Sequence, residues 1–474
     1  MTNNTKNESP LKKKQRGNLN PYMLLFCVII FAGLLSFVVS PGAYDREIIN
    51  DRTVLDPTSY HIVEKTPVSF LDFFRAIPYG LIGSGNVVFL ILLVGGVIEL
   101  LNATGSLGMG IHKIIQVVGN KGSNLILWIF MIFFSILGGF LGWVEAAIPF
   151  VPIVVPIIIS LGYDAMTAGA VVILGLLVSF AVGPTNVYTV GIAHDVAELP
   201  MFSGIEFRFI VYFVFVLTAI LYTTRYASKV KKNPELSLTK EVDISKFQID
   251  FSQFENKLMS TAQKLSLLSL LVTFVVVMYG MLKLDWNIND MTASFLVCGI
   301  IVAVVNRMGV NNAIDTMMVG IKGSMGGAMI VGVARGVQWM LETGGTIDPI
   351  IHGLAELISG WSPFASAIGI FIVVSLLNGL VPSGSGKAVA LMPLIIPLAD
   401  LVGITRQTAT LAYQFGDGLT NMAWFTYGTL LMFLSMANVP LKKWYKFILP
   451  LMLILLVYIL IFLFIAVKIN YGPF

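Results

Sequence analysis

Gly142-Trp-Val-Glu-Ala-Ala-Ile-Pro-Phe-Val-Pro-Ile-Val-Val-Pro156 places one carboxylate inside an apolar segment that runs over 123–161. A bilayer core is crossed by about 20 apolar residues, so 123–161 is too long for one plain helix. Gly142 before the acid and three prolines after it break the run in the middle. The segment therefore reads as a hairpin with Glu145 at its tip. A lone carboxylate at mid-membrane costs about 2.5–3.5 kcal/mol on the insertion scale. A substrate cation, a proton or a basic partner such as Lys387 must offset it.

The rest of the composition fits that setting. Of 474 residues, 56% are hydrophobic and 12% charged, with a mean hydropathy of +0.85. Soluble domains carry about 25% charged residues. This excludes a soluble enzyme, a disordered scaffold and a secreted disulfide protein. The net charge is +4, and the bases fall in short clusters between apolar runs. That pattern sets membrane topology and does not suggest nucleic-acid binding. Cys27 and Cys298 both lie in apolar runs, so neither a disulfide framework nor a cysteine metal site is expected. No convincing nucleophile–base pair occurs, and the chain is read as a non-enzyme without a cofactor.

The chain divides into a basic cytoplasmic tail (1–21), a first half (22–224), a polar linker (225–264) and a second half (265–474). The halves repeat. Gly-Val-Ile-Glu-Leu-Leu-Asn-Ala-Thr-Gly-Ser-Leu (96–107) resembles Gly-Val-Gln-Trp-Met-Leu-Glu-Thr-Gly-Gly-Thr-Ile (336–347). Ile148-Pro-Phe-Val-Pro-Ile-Val-Val-Pro resembles the stretch Ala390-Leu-Met-Pro-Leu-Ile-Ile-Pro, and Ala197-Glu-Leu-Pro200 resembles Ala437-Asn-Val-Pro440. Each half then holds a re-entrant hairpin (123–161 and 362–401) and a broken helix (165–200 and 404–438). With nine full spans, the crossings place the halves in opposite directions. The basic clusters fall on one side and the acidic loop 41–77 on the other. This predicts an all-α polytopic protein with an inverted repeat, its N-terminus cytoplasmic and its C-terminus outside.

Four stretches are expected to meet at mid-membrane: the tips 142–147 and 382–387, and the breaks 183–189 and 416–421. Backbone opened by Gly and Pro at that depth must be buried in protein or face water. Half-helix N-termini there suit a carboxylate, and unwound carbonyls suit a cation. The candidate substrate residues are Glu145, Thr185, Asn186, Ser383, Ser385, Lys387, Asp417, Thr420 and Asn421. Tyr188, Trp143 and Trp424 are more simply read as packing. His194-Asp195 reads as an interfacial cap, and Arg335 needs a partner or water inside its span. Pro382-Ser-Gly-Ser-Gly-Lys-Ala388 fails as a phosphate loop, because Val381 and Ala388 stand where Gly and Ser or Thr are required.

The order of hairpin tip, Pro-rich half-helix and Gly-Pro-Thr-Asn break, occurring twice, resembles the ion transporter superfamily. Within it, Gly-Trp-Val-Glu-Ala-Ala-Ile-Pro-Phe and Pro-Ser-Gly-Ser-Gly-Lys-Ala resemble the YfcC-like branch of the anaerobic C4-dicarboxylate carrier family. The resemblance covers nearly the whole chain from about residue 20. It implies a secondary transporter of the plasma membrane with an elevator-like motion, a scaffold that often dimerises, and a small amino acid or carboxylate substrate. Members include dicarboxylate carriers and arginine/ornithine exchangers. Sodium-coupled dicarboxylate members carry Ser-Asn-Thr at both tips, which this chain lacks. Glu145 and Asp417 would repel a dicarboxylate and suit a basic amino acid, so a basic amino acid antiporter is expected. A proton- or sodium-coupled carrier of dicarboxylates, dipeptides or neutral amino acids is the alternative, and a channel a remote one.

Overall fold

The structure is a computed structural model, and it describes residues 20–49, 52–56, 58–65, 67–118, 123–255, 257–356 and 361–472. Nearly all of the basic tail expected over 1–21 lies outside the described residues. The first helix, α1 (Pro21–Val38), is started by Asn20, whose side chain accepts the Tyr22 N–H at 3.0 Å. Pro21 occupies the first turn, where a missing N–H costs nothing. The polar loop that follows holds four short strands, β1 (Gly42–Ala43), β2 (Arg46–Ile49), β3 (Arg52–Leu55) and β4 (His61–Ile62). They form two antiparallel ladders, β1 with β4 and β2 with β3.

Next come α2 (Asp72–Gly83) and α3 (Gly85–Ala103), parted at Ser84, and the amphipathic α4 (Ser106–Val118). The first hairpin is α5 (Ser123–Ile136), a π-turn, a 3-10 turn and α6 (Val151–Ser160). The first broken helix is α7 (Ala165–Val182) and α8 (Ile192–Val196), followed by α9 (Ile205–Lys232). Beyond the linker lie α10 (Thr261–Lys283), α11 (Ile288–Val305), the long α12 (Val310–Thr343) and the amphipathic α13 (Ile347–Glu356). The second hairpin is α14 (Pro363–Asn378) and α15 (Gly384–Val402). The second broken helix is α16 (Arg406–Thr420) and α17 (Gly428–Met436), and α18 (Leu441–Lys468) closes the chain. Both halves therefore present one order of elements: long helix, amphipathic helix, hairpin, broken helix, long helix.

Ten helices among the described residues are long and apolar enough to cross a bilayer, and the chain is a multi-pass membrane protein. Two of the ten, Ser123–Leu141 and Gly384–Val402, are hairpin arms. The broken helix 404–438 is not among them, because it is polar and each piece is short. The expectation of nine full spans treats those two arms as re-entrant and counts the broken helix as a span.

The helices pack as two bodies. In one, α12 lies against α3, α2 and α1, with α11 beside α3 and α10 against α11 and α4. In the other, α5 to α9 pack with α14 to α18. The bodies meet mainly where α17 crosses α12. A glycine on each helix lets them approach: Gly428 faces Ala334 and Val331, and Gly327 faces Met432.

The linker is shorter and better anchored than the sequence implies, since α9 continues to Lys232. Asp164 draws the linker back. Its Oδ1 caps α7 by accepting the Thr167 N–H at 2.9 Å, and its Oδ2 accepts Tyr226 (2.7 Å), Ser237 (2.6 Å) and Thr239 (3.1 Å) hydroxyls. Losing a cap and hydrogen bonds to a charged group together costs about 2–4 kcal/mol. Asp164→Ala is expected to lower the Tm of the purified protein clearly, and Asp164→Asn to lower it less, in a thermal melt in detergent.

Candidate functional site

At the first tip the chain turns at Gly142, whose φ of +69° is left-handed and favours glycine. A Cβ there would also meet Asn186 Oδ1 at 2.5 Å, so the tip sits directly on the first break. Thr185 Oγ1 donates to Phe140 O at 2.9 Å, tying that break to the hairpin arm. Asn186 is fully buried. Its Oδ1 accepts the Tyr188 N–H at 3.0 Å and its Nδ2 donates to Phe180 O at 3.3 Å. Asn186 thus satisfies backbone groups freed by Gly183-Pro184, and Thr185 satisfies a carbonyl at the hairpin tip.

The second tip repeats the plan with charges added. Ser383 caps α15 by accepting the Gly386 N–H at 3.2 Å. Lys387, in the first turn of α15, faces a helix N-terminus that disfavours a cation. It is held there by other groups: Nζ lies 2.7 Å from Asp417 Oδ1, donates to Val381 O at 2.8 Å, and donates to Asn378 Oδ1. Lys387 and Asp417 are 3% and 1% exposed, so the pair is desolvated on both sides. Among the described residues no hydroxyl, amide or backbone N–H donates to the Asp417 carboxylate, and Lys387 is its one partner.

Asn378 is the knot of this half, and the sequence reading did not single it out. Its Nδ2 faces Asp417 O (2.8 Å), Thr420 Oγ1 (2.9 Å) and Asn421 Oδ1 (2.8 Å). Its signal was an amide at the end of an apolar helix, just ahead of the tip. Thr420 and Asn421 therefore tie the second break to its hairpin, as Thr185 does in the first half. Trp424 Nε1 donates to Ser375 O at 2.8 Å and Thr426 Oγ1 to Gly379 O at 2.6 Å, which completes that seam.

The broken helices cross each other. Gln414 Nε2 donates to Gly183 O at 2.8 Å, and Arg208 Nη1 donates to Gln414 Oε1. Gly418 lies so close to α7 that an added Cβ would come within 2.2 Å of Ala181 Cα. Glu145 reaches the other half: its carboxylate lies against Thr429, in the first turn of α17, and within the electrostatic range of Tyr188 and Tyr427. The N-terminal end of α17 favours a negative charge there. Tyr427 also lies within the electrostatic range of Asp417. Among the described residues Glu145 has no basic partner; Lys387 is committed to Asp417.

A cavity of about 780 Å³ opens between the two bodies. Ser385, Gly386 and Lys387 line it from α15, Gln338 and Glu342 from α12, and Arg46 from the strand-bearing loop. The sequence reading treated that loop only as a topology marker. It is a cap, fastened to α13 by the Arg46–Asp348 pair at 2.6 Å, by Tyr44 OH on His352 Nδ1 at 2.8 Å, and by Tyr60 stacked on His352 at 3.7 Å. Arg335 finds its partner in Gln338, which in turn donates to Glu342 at 2.7 Å. His194 is not an interfacial cap: it is fully buried, while Asp195 is exposed. The turn after α8 folds that side chain inward against α9 and α16.

Two bodies of membrane-crossing helices around broken backbone and a shared cavity define a membrane transporter, with a small-molecule substrate and a bilayer around it. The chain belongs to the C4-dicarboxylate anaerobic carrier (DcuC) family, whose model matches residues 20–468. It is 28% identical over 465 residues to YfcC of Escherichia coli K12, a protein named provisionally as a basic amino acid antiporter; the match covers 90% of this chain and 91% of that one. It is also 28% identical over 486 residues to an uncharacterised protein of Haemophilus influenzae, covering 93% and 95%. Among solved structures it resembles the YdaH transporter of Alcanivorax borkumensis, with 16% identity, a TM-score of 0.41, and coverage of 96% of this chain and 100% of that one.

Breaking a buried ion pair at one partner costs about 3–5 kcal/mol, whereas removing both charges can be neutral. Lys387→Met and Asp417→Asn are each expected to lower the Tm strongly. The double variant is expected to recover most of the loss, which a double-mutant cycle by thermal melting in detergent will measure.

Proposed function

We propose that this transporter exchanges basic amino acids of the arginine and ornithine type. One observation carries the reading: Lys387 is taken by Asp417, which leaves Glu145 as the formal charge at the tips without a base among the described residues. A basic amino acid brings a net +1 and matches it. Its α-carboxylate is suited to the first turn of α15, where Ser385 and Lys387 line the cavity, and its side-chain cation to Glu145, which lies beyond the cavity lining. A dicarboxylate near Glu145 would meet like charge, and the base that lines the cavity without an acid partner among the described residues, Lys65, lies away on the cap. Each such like-charge approach at 4–6 Å costs roughly 3–4 kcal/mol at an effective dielectric near 20. In this reading Thr185, Asn186, Ser383, Thr420 and Asn421 hold the open backbone around the ligand.

The repeated order of elements supports an inverted repeat. The seam between α12 and α17, with a glycine on each, supports an elevator-like travel of the body that carries both hairpins past the other, with the scaffold forming a homodimer. The N-terminus would then be cytoplasmic and the C-terminus outside. The second reading takes Glu145 as the site of a coupling proton, or of sodium in place of the proton, for a dicarboxylate, dipeptide or neutral amino acid. The dicarboxylate carriers that give the family its name favour it.

Reconstituted liposomes separate the two. Labelled ornithine is expected to enter rapidly when arginine is inside and not when succinate is inside. Losing a hydrogen bond to a charged group costs about 1.5–3 kcal/mol, so Glu145→Gln is expected to cut exchange about 10–100-fold. Wild-type exchange by that variant, or exchange with succinate alone, would overturn the basic amino acid reading.

A further inference from the structure

Beside the proposed transport site lies a second buried polar cluster, joined to the first break through Gln414. Arg208 on α9 is 0% exposed. Its Nη1 is spent on Gln414, but Nε and Nη2 have no hydrogen-bond partner, and no carboxylate of the described residues pairs with the guanidinium. The Tyr471 phenol lies beside it and donates away, to Gly204 O at 2.6 Å. His194 from α8 is equally buried with both ring nitrogens unpartnered, and it lies within the field of Arg208 and next to Gln407. Gln407 sends its Nε2 to Ser203 Oγ at 2.6 Å, and the Thr410 hydroxyl is buried with no partner.

These groups converge by helical spacing. Gln407, Thr410 and Gln414 are at i, i+3 and i+7 of α16 and so share one stripe. Gln407 marks the His194 end of that stripe and Gln414 the Arg208 end, with Thr410 between them. A desolvated cation needs a counter-charge, and buried donors need acceptors. One open group is an acceptor, Gln407 Oε1, which faces His194; the others include the Arg208 Nε and Nη2 donors and the Thr410 hydroxyl, and the only formal charge among them is the positive one on Arg208. The enclosing side chains are fully buried, so the occupant must be small and able to shed its water.

We infer that a monovalent inorganic anion of chloride size binds between Arg208, His194 and Thr410. It neutralises Arg208, which orients the Gln414 amide so that Nε2 reaches Gly183 O. The ion thereby braces the crossing of the two broken helices and is not itself carried.

The test is thermal melting of the purified full-length protein in detergent, in sodium chloride, bromide, acetate or gluconate at matched ionic strength. Chloride and bromide are expected to raise the Tm by a few degrees in a saturable way, relative to gluconate. Thr410→Val, nearly isosteric, is expected to weaken the halide effect several-fold, and Arg208→Met, if it folds, to abolish it. An anomalous peak from bromide beside Thr410 Oγ1 would locate the ion. Equal Tm in all four salts would overturn the proposal and assign these donors to water. A halide effect that survives Thr410→Val in full, or a bromide peak elsewhere, would also overturn it. Stabilisation by acetate alone would give the site to a carboxylate ligand and sink the halide assignment.

Discussion

Backbone opened at mid-membrane has to be closed again by protein, because hydrocarbon offers nothing to an exposed N–H or C=O. Much of the centre of this molecule answers that demand. Gly183 O takes the Gln414 amide, Phe140 O takes the Thr185 hydroxyl, and Asp417 O takes Asn378. Each bond joins a break to another element, so satisfying the backbone and assembling the site are one act. The tips cannot drift from the breaks without stranding polar groups; Gly418 lets the two broken helices approach at Ala181, and Gly183 lets the first break press on Gly139 of the first hairpin.

The charges are layered onto that frame asymmetrically. In the second half a lysine and an aspartate neutralise each other, and Asn378 grips both the lysine and the break. In the first half Glu145 has a hydroxyl, two phenols in range and a helix end. The two tips thus share a backbone plan and differ in electrostatics. A sequence repeat can carry two such different half-sites because backbone closure is done by Thr and Asn, which leaves the charged positions free to diverge.

Much of this was legible in the sequence. The 123–161 and 362–401 segments were too long and too broken for single spans, and each is two helices joined by a turn. Glu145, Lys387 and Asp417 stood out because a charge in an apolar run demands a partner. What was illegible is pairing. Lys387 could have faced either acid, and only the fold of the second tip sends it to Asp417. Asn378, Tyr427 and Arg208 carried no motif, since their roles come from residues about 10 to 280 positions away in the chain. The cap over 41–65 was hidden for the same reason: its anchors Asp348 and His352 are some 300 residues downstream.

The division into two bodies also bears on how the molecule can be made. The α3 surface is completed by α12, and α7 by α16, so each body needs both ends of the chain. When α9 leaves the ribosome, neither body has its core: Gly418 and Gln414 do not yet exist to cover Ala181 and Gly183. The first half must wait in the membrane as a set of helices with its polar breaks unmatched. Such long sequence separation slows assembly and exposes intermediates. Anchoring of the linker to Asp164 closes one end of the waiting half, and it makes the stretch after α9 the natural place at which two separately made fragments would still find each other.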